Sequence, residues 1–498
     1  QISVSDLTAD DITGTGSINN SKVDDGNTAA VTEKPGTLYH VDDSDGSWKI
    51  QEQDDDEGEG QAVDGSNSNQ AKKKFDIAQA SKKSIALLLP AGYPKSVAPN
   101  YTYFAGFCFT ASIAGSAAMV LSTQTLLLAV GVVGQNVQQA SIMAGAWNWV
   151  MKDFVGQLGG VVFASQMGKT RAFDTDPKRW RMVAAMALDG ATLLEILSPL
   201  FHSSLVLPVA SIANIGKNIG FLTASASRAA LHNAVAITGN LGDVTAKAGS
   251  QSIMASLIGT SLGIGLSSLL QHDTYNFALG FLGLTVIHQG CNYLSVQHVP
   301  LAHFNKQRLC LVIESYINDD DDDKDELEVA DSNIVSCVPS PSQVAKSEQF
   351  FPLTAPADTT KDWLRVGQPV SDVFADPSEL DATMSVLPDE PYLIRVNDTK
   401  DNNDSNDSRN DGCIDLVFST HATGEDIIKG MYHACLLRKT MSMSKAAIIS
   451  PLHAIESSHN EVCDKFPSLL GQIHTQGWNT STDVTHVEGT DAFRFQIE

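Results

Sequence analysis

Hydrophobic and polar positions divide the chain into three regimes. In the middle, apolar and small residues crowd together from Ser84-Ile85-Ala86-Leu87-Leu88-Leu89-Pro90, and Ser96–Met151, a run of 56 residues, contains no Asp, Glu, Lys or Arg. Further uncharged windows are Ile196–Gly216 (21 residues), Ala248–His272 (25) and Thr274–Asn305 (32). A bilayer-spanning helix needs roughly 20 mainly apolar residues, so the first window has room for two spans and each of the others for one. Ser, Thr, Gln and Asn are scattered through all of them, and Pro199 and Pro208 interrupt the second. Uncharged runs of this length favour a membrane-embedded helical domain over a soluble bundle with a small-residue interior. Gly259-Thr260-Ser261-Leu262-Gly263 adds a small-xxx-small pattern that lets two helices approach closely.

The flanks read differently. Residues 1–84 are rich in Asp, Ser, Gly and Asn with isolated apolar positions, which predicts a disordered acidic tail. Asp43, Asp45, Gly46 and Glu52 fit positions 3, 5, 6 and 12 of a calcium loop, but Val41 at position 1 offers no side-chain oxygen, so the stretch reads as an acidic linker. A second linker, acidic and then Pro/Ser-rich, is expected over 316–390, with Asp319 to Asp323 in a row. Beyond it, Tyr392–Val396 and Ile414–Ser419 predict strands, and Thr423 can cap a helix burying Ile427, Ile428, Met431 and Cys435. A further helix is expected from about Ser444 to before Gly477, and a last strand at Phe493–Ile497. The expected fold is therefore mainly α. It comprises a membrane-associated helical core over 85–315 and a small C-terminal α+β domain over 391–498.

Charge sharpens this division. The net charge is −25, but residues 1–70 carry 16 acids against 3 bases, while 71–315 carry 9 acids against 17 bases. The acidity belongs to the flanks, and nucleic-acid binding through a generally basic surface is excluded. The seven cysteines are far apart with no CxxC pair, which argues against a disulfide framework or a zinc ribbon.

The few ionisable residues in the apolar region are the candidate binding or interaction residues: Asp176, Lys178, Arg179, Arg181, Asp189, Arg228, Asp243 and Lys247. Asp176 is placed to cap a helix with Pro177 at its first position. Asp243 and Lys247 are spaced i, i+4, as for an ion pair on one helix face. No catalytic or metal-binding residue and no cofactor is predicted. Gly263-Ile264-Gly265 follows no strand, there is no P-loop, HExxH or GxSxG, and His298 and His303 are five apart. His459 and Cys463 stand i, i+4 with no second pair evident.

Several strings in order resemble the RUS (root UVB sensitive) family. Leu89-Pro90-Ala91-Gly92-Tyr93-Pro94-Lys95-Ser96-Val97 looks like its LPxGYPxSV segment. Trp149-Val150-Met151-Lys152-Asp153 with Gly156 and Gly159 is similar to its WVLKDGxG segment, with Phe154 where the family commonly has Gly. Asp174-Thr175-Asp176-Pro177-Lys178-Arg179-Trp180-Arg181 resembles its DxDPKRWR string. Glu195–Pro199, Arg228–Leu231 and Asp243–Gln251 resemble later blocks. The resemblance implies a membrane-associated protein, plastid-located in plants, tied to vitamin B6 balance, development and auxin transport, with another family member or a second copy as partner. It implies no reaction.

Three functions follow as expectations. The first is a non-enzymatic scaffold or regulator in an organellar membrane, with membrane lipid among its partners. The second is a multi-helix solute carrier with Asp243 and Lys247 lining a polar cavity. The third is a soluble protein binding a pyridoxal phosphate-like ligand at Lys178, Arg179 and Arg181.

Overall fold

The computed structural model describes residues 39–41, 48–50, 87–129, 139–168, 172–270, 274–319, 337–352, 363–397, 413–443, 450–481, 485, 487 and 492–496. The chain divides into two compact units, 1–76 and 77–498. In the first, β1 (Tyr39–Val41) pairs antiparallel with β2 (Trp48–Ile50). Asp43, Asp45, Gly46 and Glu52, the calcium-loop candidates, lie outside the described residues.

Among the described residues, six long helices make up the apolar region of the second unit. They are α1 (Tyr101–Ala129), α2 (Gln139–Met167), α3 (Pro177–Ile196), α4 (Ser203–Val235), α5 (Leu241–Leu269) and α6 (Thr274–Gln297). Small residues set their packing. Gly259 and Gly263 face α1 so closely that a Cβ on Gly263 would lie 2.8 Å from the Ala117 carbonyl oxygen, and one on Gly259 would overlap that of Ile113. The predicted small-xxx-small pattern is thus the α1–α5 contact. Gly156 does the same for α2 against α4, where a Cβ would overlap Asn214.

Helix limits do not follow the uncharged windows. The window Ile196–Gly216 holds the end of α3, a 3₁₀ turn at Ser198–Leu200 and only the first part of α4, which continues through Lys217 and Arg228. Among the described residues, three helical stretches are long and apolar enough to cross a membrane by length and composition: Tyr101–Leu127, Ser204–Val235 and Leu241–Leu269. The reason for the mismatch is geometric: a charge inside a helix can be tolerated when its face turns inward to a partner.

The C-terminal part is α+β, as predicted, but it begins earlier. After α7 (Lys306–Asp319) come α8 (Pro341–Ser347), β3 (Leu364–Val366), α9 (Pro377–Val386), β4 (Tyr392–Asn397), β5 (Cys413–Phe418), α10 (Gly424–Met443) and α11 (Pro451–Thr475). The sheet order is β3-β5-β4, with β3 parallel and β4 antiparallel to β5. Much of the expected linker over 316–390 therefore belongs to this domain: β3 is an edge strand held across the sheet by Arg365, which forks onto Asp415 through two 2.7 Å hydrogen bonds. Of the expected strand at 493–497, the described residues form a single bridge, between Phe495 and Ser419. Thr423 and Asp426 cap α10 reciprocally, and Ile427, Ile428, Met431 and Cys435 are buried as expected. They join Tyr392, Phe418, Phe304 and Trp478 in the core, the last two stacked at 4.5 Å.

Candidate functional site

Asp176 accepts a hydrogen bond from the Arg179 N–H at 3.3 Å and, with Pro177, starts α3 as predicted. That start turns Lys178 fully inward, where its Nζ lies 2.7 Å from Glu348 Oε2. Arg308, at the start of α7, donates to Glu348 Oε1 at 2.6 Å and to the Thr175 carbonyl at 3.2 Å. One carboxylate thus joins the helical region to the C-terminal domain. Burial works to raise the Glu348 carboxyl, but Lys178 and Arg308 outweigh it and hold the group down at about 2. Lys178, Arg179 and Arg181 accordingly form no cluster. Lys178 is spent on this junction, Arg179 gives its backbone N–H to the helix cap, and Arg181 points into a cavity elsewhere. Trp180 supports the turn by packing edge-on against Phe173, with ring centroids 5.2 Å apart.

A second charged group sits among α1, α2, α3 and α4. Glu195 Oε2 pairs with Lys217 and accepts from the Ser122 hydroxyl at 2.5 Å, while Lys217 also donates to Ser122 at 3.1 Å. Lys152 lies 3.9 Å from Glu195 Oε1 and 2.9 Å from Asp153, with its ammonium over the Trp149 ring. Asn214 bridges the Lys152 carbonyl and Asp153, and the absence of a side chain at Gly156 admits it. Two lysines facing two carboxylates leave the group neutral. A cavity of about 320 Å³ borders it.

The larger cavity, about 660 Å³, lies between α1, α3, α4, α5 and α6. Arg181, Arg228, Asp189, His288 and Asn292 line it with serines and threonines. Asp189 is held by the His288 ring at 2.9 Å and by the Gln289 amide at 2.6 Å. Among the described residues Arg181 meets only neutral oxygens, Asn292 Oδ1 at 3.3 Å and the Ala224 carbonyl at 3.5 Å. Arg228 makes no ion pair or hydrogen bond among the described residues.

Asp243 and Lys247 do not pair with each other and do not line this cavity. Along with Gln251, one turn further, they hold the backbone of the chain entering the helical region. Asp243 accepts from the Ala91 N–H at 2.6 Å, Lys247 donates to the Leu87 carbonyl at 2.9 Å, and Gln251 donates to Leu88 at 2.7 Å. Their i, i+4 spacing matches successive backbone groups of another segment rather than each other. Pro90, Gly92, Tyr93 and Pro94 form the turn so held: Gly92 takes φ +73°, the Tyr93-Pro94 bond is cis, and the Tyr93 hydroxyl bonds Thr102 at 2.6 Å.

In the C-terminal domain, Glu390 brings a third donor to His459 and Cys463, all within 4.8 Å of one another. Lys429 already pairs with Glu390, which places a cation where a metal would have to bind. His433 is buried between the Tyr392 hydroxyl (3.1 Å) and Ser458 (2.9 Å), and burial pushes its pKa down to about 3.

Comparison with known proteins bears on these arrangements. Residues 76–320 match the family described as "Vitamin B6 photo-protection and homoeostasis domain", and residues 337–489 match "Root UVB sensitive protein, C-terminal". The chain belongs to the root UVB sensitive family. It is 27% identical over 403 residues to "Protein root UVB sensitive 3" of Arabidopsis thaliana, covering 80% of this chain and 83% of that one. It is also 27% identical to "Protein root UVB sensitive 2, chloroplastic" of the same organism (78% and 80% covered), and 30% identical to "RUS family member 1" of Dictyostelium discoideum (53% and 47%). No solved structure matches the chain. The boundary between the two RUS matches falls between α7 and α8, so Glu348 comes from one matched region and its cations from the other.

Sequence reasoning missed Glu348, Arg308 and His288. Glu348 and Arg308 lie outside the uncharged windows and carry no local pattern. His288 was one of many dispersed histidines, and only the fold brings it to Asp189.

Proposed function

We propose that this RUS protein is a membrane-embedded, non-enzymatic regulator acting in vitamin B6 homeostasis, with the C-terminal α+β domain as its partner-recruiting part. The observation that carries the membrane reading is the outer surface of the helical region. Phe154, Leu158 and Val161 on α2, Ile253 and Leu257 on α5, and Leu279 and Val286 on α6 are all more than half exposed and recur at helical spacing. Large contiguous apolar surface is unfavourable in water and fits lipid. The buried lysines and carboxylates, in contrast, are turned inward and paired, the arrangement a low-dielectric surrounding demands. The commitment of these groups to one another leaves them as structural ion pairs rather than as a free acid and base. The vitamin B6 and plastid associations come from the family description and from the chloroplastic relative.

Carbonate washing of membranes from expressing cells tests this directly. The full chain is expected to stay in the pellet, and release into the supernatant would refute embedding. For the metabolic role, loss of the protein is expected to alter the cellular ratio of vitamin B6 forms, and an unchanged ratio refutes it. A carrier is the second reading, favoured by the cavity between α1 and α3 to α6, but Asp243 and Lys247 take no part in it.

A further inference from the structure

We propose that the 660 Å³ cavity is a binding site for a phosphate monoester, held by Arg181 and Arg228. The inference rests on the membrane-embedded, vitamin B6-related reading above for its choice of probe, and on the cavity itself for its chemistry.

A guanidinium has five donors and no acceptor, and it needs a counter-charge when removed from bulk water. Each buried lysine of the helical region has one: Lys152 and Lys217 have Glu195 and Asp153, and Lys178 has Glu348 from the C-terminal domain. Among the described residues neither half-buried Arg181 nor exposed Arg228 has one, so both guanidinium groups on this cavity are unpaired. The carboxylate that shares their cavity, Asp189, is already engaged by His288 and Gln289. Two guanidinium groups against one occupied carboxylate leave the cavity with an excess of positive charge. That excess, with donors in planar forks, suits a phosphate better than a carboxylate or a neutral solute. The remaining walls fit an organic body of modest size. Ser112, Ser116 and Thr260 offer hydroxyls, while Val120, Leu188 and Ile264 offer apolar surface. The volume lies in the range of small-molecule sites. A phosphate group can arrive on a soluble ester or on a lipid head, and both present the same oxygens to the arginines.

The experiment is a calorimetric titration of the full chain, purified in detergent, with pyridoxine 5′-phosphate and with pyridoxine. The two differ by the phosphate alone, and neither carries an aldehyde that could react with lysines. Wild type is expected to bind the phosphate ester at least about tenfold more tightly than the alcohol. Arg228→Gln should abolish that difference, and Arg228→Lys should restore part of it. Thermal melts establish that each variant is folded; should Arg228→Gln fail to fold, Thr260→Leu, which narrows the cavity from α5, takes its place. A parallel arm uses phosphatidylcholine nanodiscs with and without phosphatidic acid. Retention of phosphatidic acid by wild type but not by Arg228→Gln, without binding of pyridoxine 5′-phosphate, supports the site and assigns its phosphate to lipid. Equal behaviour of wild type and the folded variant in both arms overturns the proposal. Carbonate release with arginine-dependent binding intact would retire the membrane reading and leave this site standing; membrane insertion without such binding does the reverse.

Discussion

Replacing Glu348 with Gln removes one negative charge and leaves Lys178 and Arg308 facing each other in a fully buried place. Breaking a buried pair by deleting one partner costs about 3–5 kcal/mol, because the remaining charge is uncompensated. A second route gives a similar size. The carboxyl is held at about 2 against an ordinary value of 4.5, and at ~1.36 kcal/mol per pKa unit this corresponds to about 3 kcal/mol. The sign follows from the depressed value. The contribution is complete above about 4.5, where the unfolded group is ionised, and it fades as pH falls toward about 2. The assay is the melting temperature of the purified full chain in one detergent across pH 3 to 8. At pH 7 Glu348→Gln should melt on the order of 5 °C lower. The gap between wild type and variant should then close as pH drops below 4.5. Adding Lys178→Met to Glu348→Gln should recover part of the loss by removing one of the stranded cations. A Glu348→Gln protein that melts with wild type at pH 7, or a gap that widens in acid, refutes the assignment of this carboxylate as the junction.

Three further outcomes are expected. Glu195→Ala strands Lys217, while Lys152 keeps Asp153, and should cost about 3–5 kcal/mol, read as a lower melting temperature and aggregation in size-exclusion chromatography, with partial rescue by Lys217→Met; unaltered melting would count against the network. Asp243→Asn loosens the Leu87–Ala91 segment, so proteolysis there should accelerate severalfold while phosphate-ester binding is unchanged; a loss of binding would contradict the separation of this segment from the cavity. His433 is kept neutral by burial, so the unfolded chain takes up its proton first and stability falls as pH drops from about 6.5 toward 3, by at most ~1.4 kcal/mol per pH unit; His433→Gln should remove that slope from the C-terminal domain's melt.

Local features were legible in the sequence to the extent that their causes were local. The Asp176–Pro177 helix start, the Thr423 cap, β4, β5 and the buried face of α10 all follow from neighbouring residues, and they stand where expected. The Gly259–Gly263 contact was equally readable, since a missing side chain is a property of two positions on one helix. Three expectations failed for one common reason. The Asp243–Lys247 pair, the Lys178–Arg179–Arg181 cluster and the linker over 316–390 were inferred from adjacency along the chain. In each case a partner distant in sequence takes the group instead: the backbone at Leu87 and Ala91, the Glu348 carboxylate, and the edge of β5. A spacing of i, i+4 places two side chains on one face, but it does not decide whether they meet each other or a third segment.

The same distinction separates structural from ligand-directed charge in this fold. Glu348 stood in no motif and Glu195, though it opens a family-like block, was not among the candidate residues, yet each explains why nearby lysines can be buried without a ligand. Arg181 and Arg228 were candidates by motif, and their cavity offers them no free carboxylate. A purely architectural role for the two would have been met by pairing with Asp189, which shares their cavity. Instead His288 and Gln289 occupy that carboxylate from the opposite helix, which stops it from neutralising the arginines. If Asp189 is held back in this way, His288→Ala should free it to pair with an arginine and so weaken phosphate-ester binding, although His288 itself would not touch the ligand. Asp189→Asn, which cannot neutralise them, should preserve or strengthen binding. Titration of both variants against wild type distinguishes a guarded anion site from two arginines that merely fill space: in the latter case neither substitution changes the affinity.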